Sequence, residues 1–153
     1  MTEPVHHTRT EKLLLEAGRR FNATLDYDEL IRQVLELVMA AVEAEAALVF
    51  RVDHERTDMK IRFMSRRDGR MIVFRREIGQ GVVGWVARYR EPVIIDDAAS
   101  DPRVDRDVEK QGDIKIRSVL TVPLIGKGQM IGVIEAINKT DGPFTEADLD
   151  VLI

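Results

Sequence analysis

The sequence predicts an α+β fold. A central, mainly antiparallel sheet of about six strands carries N- and C-terminal helices on one face, and a loop and short-helix cover over a pocket on the other. Three observations carry that expectation. Residues 118–139 hold two aliphatic, β-branched arms joined by Gly126-Lys127-Gly128-Gln129, a hairpin signal because both glycines can take positive φ. Helix-period segments gather at the two ends of the chain rather than alternating with strands, which argues against a doubly wound parallel sheet. The 153 residues suit one domain with a sizeable core.

Residues 1–9 hold His6 and His7 but no core-forming side chains and read as a flexible tail. Over 10–21, Leu14, Ala17, Gly18 and Phe21 fall at helical spacing, with Leu13 and Leu15 widening the stripe. Such a short amphipathic helix either covers its own sheet or pairs with a second copy of the chain. Asp26 with Glu29 has the form of a capping box opening a second helix to about Glu43. Its buried face is expected to be Leu30, Ile31, Val34, Leu37, Val38, Ala41 and Val42.

Strand patterns follow. Residues 46–53 put Leu48, Phe50 and Val52 on one face. Over 59–65, Met59, Ile61, Phe63 and Ser65 alternate with Lys60, Arg62 and Met64, a half-buried pattern. Residues 70–78 return after the Asp68-Gly69 turn, so the first three strands form a meander. Residues 79–89 read as a glycine-rich lead into a short helix, 93–95 as a short strand, and 96–117 as a charged loop with one helix over 104–111. Beyond the hairpin, Asp141-Gly142-Pro143 turns the chain, and Thr145 with Asp148 three residues on caps a final helix. That helix has barely begun when the sequence stops with Leu149, Leu152 and Ile153 still apolar. Residues 10–153 are therefore expected to be one domain taken from a longer multidomain protein.

Composition narrows the function classes. A makeup of 44% apolar and 33% charged residues is ordinary for a globular protein, and a net charge of −4 argues against a nucleic-acid partner. Without cysteine there is no disulfide framework, thiolate metal site or thiol nucleophile. No apolar run approaches the ~20 residues of a membrane span, so the chain is expected in the cytoplasm with no membrane partner.

Gly79-Gln80-Gly81-Val82-Val83-Gly84 matches the dinucleotide fingerprint literally, but its context does not. Arg75, Arg76 and Glu77 stand where a buried strand should end, and Asp96 follows Gly84 by only twelve residues. The glycines are expected to serve a tight strand-to-helix turn under Trp85. Lys60, Arg62, Arg66, Arg67, Arg70, Arg75 and Arg76 form a basic stretch expected to be the solvated face of a hairpin, or else a surface for phosphate or acidic partners. Residues 96–113 are its acidic counterpart; their spacing does not fit a calcium loop, and a long charged loop of this kind suits a binding cover. Glu135 interrupts the apolar run Val133-Ile134 and Ala136-Ile137, so its carboxylate lies either on a solvated face or inside a cavity. His6, His7 and His54 lack second ligands at metal spacing, and no acid–base pair or nucleophile motif is present. The chain is expected not to be an enzyme.

Four stretches together resemble the GAF domain, a small-molecule-binding and dimerising module of signalling proteins. They are Ile78-Gly79-Gln80-Gly81-Val82-Val83-Gly84-Trp85-Val86-Ala87, Pro92-Val93-Ile94-Ile95-Asp96-Asp97, Ser118-Val119-Leu120-Thr121-Val122-Pro123-Leu124 and Met130 to Lys139. By register, the resemblance implies a ligand pocket lined by Leu48, Phe63, Met64, Val82, Val83, Asp105, Glu109, Gly112, Ile116 and Glu135. The Asn-Lys, Phe, Asp-Glu signature of the cyclic-nucleotide-binding branch is met by Asn138, Lys139, Phe144 and Asp148, with Leu149 in place of the closing Glu. Leu48, Asp105 and Gly112 stand where those binders tend to place hydroxyl or aromatic residues. Absence of cysteine departs from the methionine-sulfoxide-reducing and bilin-bearing branches.

The function this implies is a non-catalytic regulatory sensor. It would bind an unidentified small ligand, close the 96–117 loop over it, and pass the change through the terminal helices of a homodimer to a covalently linked effector domain. The alternatives are a ligand-free dimerisation or docking module of a signalling protein, and a cyclic-nucleotide-binding domain.

Overall fold

The computed structural model describes residues 8–52, 58–77 and 79–153. It divides into two compact units, Met1–Ile31 and Arg32–Ile153. One helix, α1 (Arg9–Ala41), belongs to both. Thr8 opens it: its hydroxyl accepts from the Glu11 amide at 3.1 Å while the Glu11 carboxylate accepts from the Thr8 amide at 3.2 Å. That reciprocal cap lies in what the sequence assigns to the tail.

No helix break separates residues 21 and 26, so the two expected helices are one, and Asp26 sits mid-helix rather than at a cap. The intervening Asn22-Ala23-Thr24-Leu25 contains neither glycine nor proline, and nothing there forbids continued helix. The buried face is also rotated from expectation. Leu35, Val38, Met39 and Val42 are buried, whereas Leu37 is 69% exposed. Apolar residues run most of the way around this segment, so periodicity alone does not choose a face. Polar anchoring does: Arg32 donates from Nη1 to the Gly69 carbonyl at 2.7 Å and lies 3.7 Å from the Met64 sulfur.

The sheet contains β1 (Ala44–Arg51), β2 (Asp58–Ser65), β3 (Met71–Glu77), β4 (Val93–Ile95), β5 (Val119–Gly126) and β6 (Gln129–Lys139). Its order is β3-β2-β1-β6-β5-β4, and every neighbouring pair is antiparallel. The β5–β6 turn holds Lys127 at φ 52° and Gly128 at φ 74°, the two consecutive positive angles of the tightest hairpin turn. At Gly132 any side chain would overlap the Phe50 carbonyl oxygen, so β1 and β6 approach only because that position is bare.

Alternation along the strands builds two apolar layers. Leu48, Phe50, Ile61, Phe63, Val119, Val133 and Ile137 face one side and pack with α2 (Gly81–Tyr89), a short 3₁₀ turn (Ala98–Ser100) and α3 (Arg106–Gly112). The other side presents Ala47, Val49, Met64, Leu120, Val122 and Ala136, all buried. Arg62 at 9% exposure and Met64 at 2% make β2 a strand buried on both faces rather than half-buried.

Residues 145–153 close the chain as expected. Thr145 caps α4 (Glu146–Leu152), its hydroxyl accepting from the Asp148 amide while Asp148 accepts from the Thr145 amide. Lys139 reaches both Asp148 oxygens at 2.8 Å and lies over the Phe144 ring at 6.0 Å. Asn138, in left-handed backbone at φ 59°, accepts from the amides of Arg117 and Ser118 and donates to Glu45 and the Lys115 carbonyl. The Asn-Lys, Phe, Asp residues thus bind strand end, loop and helix together. Among the described residues no helix is long and apolar enough to cross a membrane.

Candidate functional site

Glu135 is the residue the sheet would exclude if it could. On β6 it shares the covered face with Val133 and Ile137, pairs with Leu48 across β1 and Thr121 across β5, and is 4% exposed. The Thr121 hydroxyl donates to Glu135 Oε2 at 2.7 Å, the one hydrogen bond the carboxyl accepts among the described residues. Burial pushes this carboxyl up to about 7; the Thr121 bond works against the rise and the negative charge of Asp105 adds to it. Of the two expectations for Glu135, the cavity holds.

The cavity lies between Glu135, the start of α2 and the segment leading into α3, and is walled by Ile61, Gln80, Gly81, Val104, Val108 and Val119 besides the expected residues. Its free space is about 10 Å³, room for about one water. Gly81, at φ 71°, is required here twice over: its backbone is left-handed, and a Cβ would come within 3.0 Å of the Asp105 Cβ. Gly84 has no room for a side chain against the Gly79 backbone, so the glycines serve the turn and not a pyrophosphate.

Asp105 does three things at once. It caps α3 by accepting from the Asp107 amide at 2.9 Å, it borders the cavity, and it accepts from Arg76 at both oxygens, 2.7 Å from Nε and 3.0 Å from Nη2. Arg76 also reaches Asp107 at 3.2 Å. The Asp105 hydrogen bonds hold the Arg76 guanidinium above its ordinary pKa in spite of partial burial. Paired, planar contacts of this kind are stronger than single ones and fix orientation. The edge strand β3 is thereby latched to the cover. Sequence reading assigns Arg76 to a solvated basic face, but Ile72, Phe74 and Arg76 continue one period-2 row whose first two members pack on the core. That row was the available signal.

The rest of the cover is pinned in the same manner. Arg103 stacks over Trp85 at 5.1 Å and pairs with Asp101, which its guanidinium holds below the usual carboxylate range. Arg106 donates to the Ala98 carbonyl at 2.7 Å and to Glu109, whose other oxygen accepts from the Ile116 amide at 3.0 Å. Arg67 pairs with Asp113 of the acidic stretch, as Arg76 does with Asp105 and Asp107, whereas Arg75 pairs with Asp58 inside its own β2–β3 hairpin.

The structure gathers Val82, Val83, Asp105, Ile116 and Glu135 around the cavity. Leu48 and Phe63 belong to the same buried cluster without bordering the free space. Gly112 lies flat against the Phe63 ring, where a Cβ would come within 2.7 Å. Glu109 is committed to Ile116 and Arg106. Met64 stands on the opposite face, beside Arg32 of α1, because it follows Phe63 by one residue on a strand. His54 lies outside the described residues, as do His6 and His7.

A six-stranded antiparallel sheet with one face roofed by two short helices, and a small cavity beneath them that holds Glu135 and Asp105 among aliphatic side chains, defines an α+β module. The GAF domain family model matches residues 24–153, and the chain belongs to that family. It is similar to the probable 3',5'-cyclic phosphodiesterase pde-5 of Caenorhabditis elegans, 27% identical over 154 residues, covering 93% of this chain and 21% of the relative. The chain therefore spans about a fifth of that curated relative's length. Among solved structures it resembles the GAF domain of a phosphoenolpyruvate-protein phosphotransferase from Coxiella burnetii, with a TM-score of 0.68 at 20% identity, covering 93% of this chain and 84% of that one. It also resembles free methionine-R-sulfoxide reductase from Neisseria meningitidis, with a TM-score of 0.60 at 21% identity, covering 78% of this chain and 67% of that one. These likenesses establish the fold.

Proposed function

We propose that this chain is a non-catalytic regulatory domain that binds a small ligand bearing hydrogen-bond donors beneath the 96–117 cover. It would relay the resulting change through its terminal helices to an effector domain. The observation that carries the reading is Glu135. A buried carboxyl with no cationic partner among the described residues is a cost to the fold, and such groups concentrate where a ligand supplies the missing partner. Both polar side chains at the cavity that carry charge, Glu135 and Asp105, are acceptors. The complementary ligand presents N–H groups: an amide or amino edge of a nucleobase, or an ammonium. A cyclic nucleotide is one such candidate, in keeping with the phosphodiesterase relative.

At about 10 Å³ the cavity admits no metabolite unless the cover moves. Because the cover already sits down on this small cavity, the expected loop closure becomes an opening: the latch between Arg76 and Asp105 gives way, binding and cover movement are coupled, and the ligand must favour the opened form to shift the balance. Thermal-shift measurements with a panel of nucleobases, cyclic nucleotides and amines test this. At least one donor-bearing compound should raise the melting temperature, more in Arg76→Gln than in the parent, and Glu135→Gln should abolish the rise. Stabilisation by no compound in either the parent or Arg76→Gln would overturn the proposal.

A second reading, a ligand-independent dimerisation or docking module, is favoured by the small cavity and by exposed leucines on α1. Leu13, Leu14 and Leu15 are 63%, 68% and 48% exposed. Solution mass discriminates: a dimer dispersed by Leu14→Glu, in a protein that responds to no ligand, supports this reading.

A further inference from the structure

A second cleft, of about 280 Å³, opens where the turn after β2 meets the connection from α3 to β5. It is far larger than the cavity at Glu135 and lies near the lower end of the ~300–1,000 Å³ typical of small-molecule sites. Its walls differ in kind. Arg67, Lys115 and Arg117 contribute three cations against the carboxylates of Glu45 and Asp113.

We infer that this cleft binds a small oxyanion, the phosphate or carboxylate group of a metabolite. Four features support the assignment. The Lys115 ammonium donates no hydrogen bond among the described residues, and its charge acts on Glu109 only at a distance, so its N–H groups are open to an acceptor in the cleft. Arg67 and Arg117 each use only Nη2, on Asp113 and Glu45 respectively, leaving Nε and Nη1 of both forks available. Those two ion pairs are largely exposed, with side-chain exposures of 58% and 89% for Arg67 and Asp113, and 59% and 43% for Arg117 and Glu45. Pairs so exposed are weak and readily exchanged for a better acceptor. Guanidinium forks meet two oxygens of one phosphate or carboxylate at once, which exposed single contacts do not match.

Ser65 gives the cleft a built, buried wall. It is 6% exposed, and its hydroxyl oxygen accepts from the Arg67 amide at 3.1 Å, which leaves the hydroxyl proton to donate. Asn138, 1% exposed, holds Lys115 and Glu45 in place through its amide nitrogen. The cleft is therefore anchored to the sheet and not merely a gathering of surface lysine and arginine tips. It shares no lining residue with the cavity at Glu135.

Amide chemical shifts of the full chain, titrated with inorganic phosphate or with acetate at fixed ionic strength, test the inference. Saturable shifts should appear at Ser65, Arg67, Lys115 and Arg117 with one or both anions, and the tighter of the two identifies the oxyanion. Lys115→Ala and Arg117→Gln should each weaken binding by roughly tenfold or more, since charge-assisted bonds are lost, while Lys115→Arg retains it. Unchanged spectra of the unliganded variants confirm that they fold. No saturable shift across the millimolar range, or shifts indifferent to both substitutions, would overturn the assignment. Shifts confined to Val82, Val83 and Glu135 would also overturn it while supporting the ligand reading of the roofed cavity.

Discussion

Replacing Glu135 by glutamine keeps the shape of the side chain and an acceptor for the Thr121 hydroxyl, while removing the charge. Because burial raises the Glu135 carboxyl from 4.5 to about 7, the folded state holds a proton over a range where the unfolded chain has released it. The sign follows directly. Below pH 4.5 both states are protonated and the carboxyl has no net effect; between 4.5 and about 7 stability falls as pH rises; above about 7 the full penalty is present. A change of that size corresponds to about 3 kcal/mol. The charged groups facing it are Asp105 on the cover and, through Asp105, the Arg76 guanidinium. Other carboxylates, among them Asp101 and Asp148, are held below their ordinary range and act in the opposite sense, so the difference between the two proteins is the useful quantity. Urea denaturation of the parent and Glu135→Gln, repeated across pH, measures it. The substitution should be nearly neutral below pH 4.5 and stabilise by about 3 kcal/mol well above pH 7. A difference that stays flat through this window would refute the account of Glu135 as a desolvated, unpaired carboxyl.

Two substitutions probe the frame that holds the site. Asp148→Asn breaks a pair whose side chains are only 11% and 12% exposed and should cost about 3 kcal/mol in urea denaturation, whereas a loss no larger than that of an exposed ion pair would contradict its role as a tie between β6 and α4. Gly132→Ala drives a methyl group into the Phe50 carbonyl oxygen and should destabilise by about 1–3 kcal/mol, read as a lowered melting temperature; a protein as stable as the parent would mean that β1 and β6 are not held so closely.

Legibility varied with the range of the interaction. The β5–β6 hairpin, the meander of β1 to β3, the Thr145 cap and the glycine turn were readable because each depends on residues a few positions apart. The break expected near Asp26 was wrong for the same local reason: a capping pattern marks a possible start, and a helix already under way overrides it. The buried face of residues 32–42 differs from the expected one because apolar residues lie on several sides of the helix, so that the choice passes to Arg32 and its distant partners. At the site, the resemblance to the GAF domain implies Val82, Val83, Asp105, Ile116 and Glu135, which do border the cavity, whereas strand alternation places Met64 on the face opposite Phe63.

By itself, then, the order of residues determined the strands, their sequence along the chain and the turns and caps between them, because periodicity and turn chemistry are local; family membership rests on the four stretches that resemble the GAF domain and on the family match. Only the tertiary structure decided that Glu135 is buried beside Thr121, that Arg76 fastens the cover through Asp105, and that the cavity between them is nearly filled. Those outcomes depend on which of many charges meet across separations of 14 and 29 residues, and on how closely side chains pack. Pattern along a chain carries no record of either.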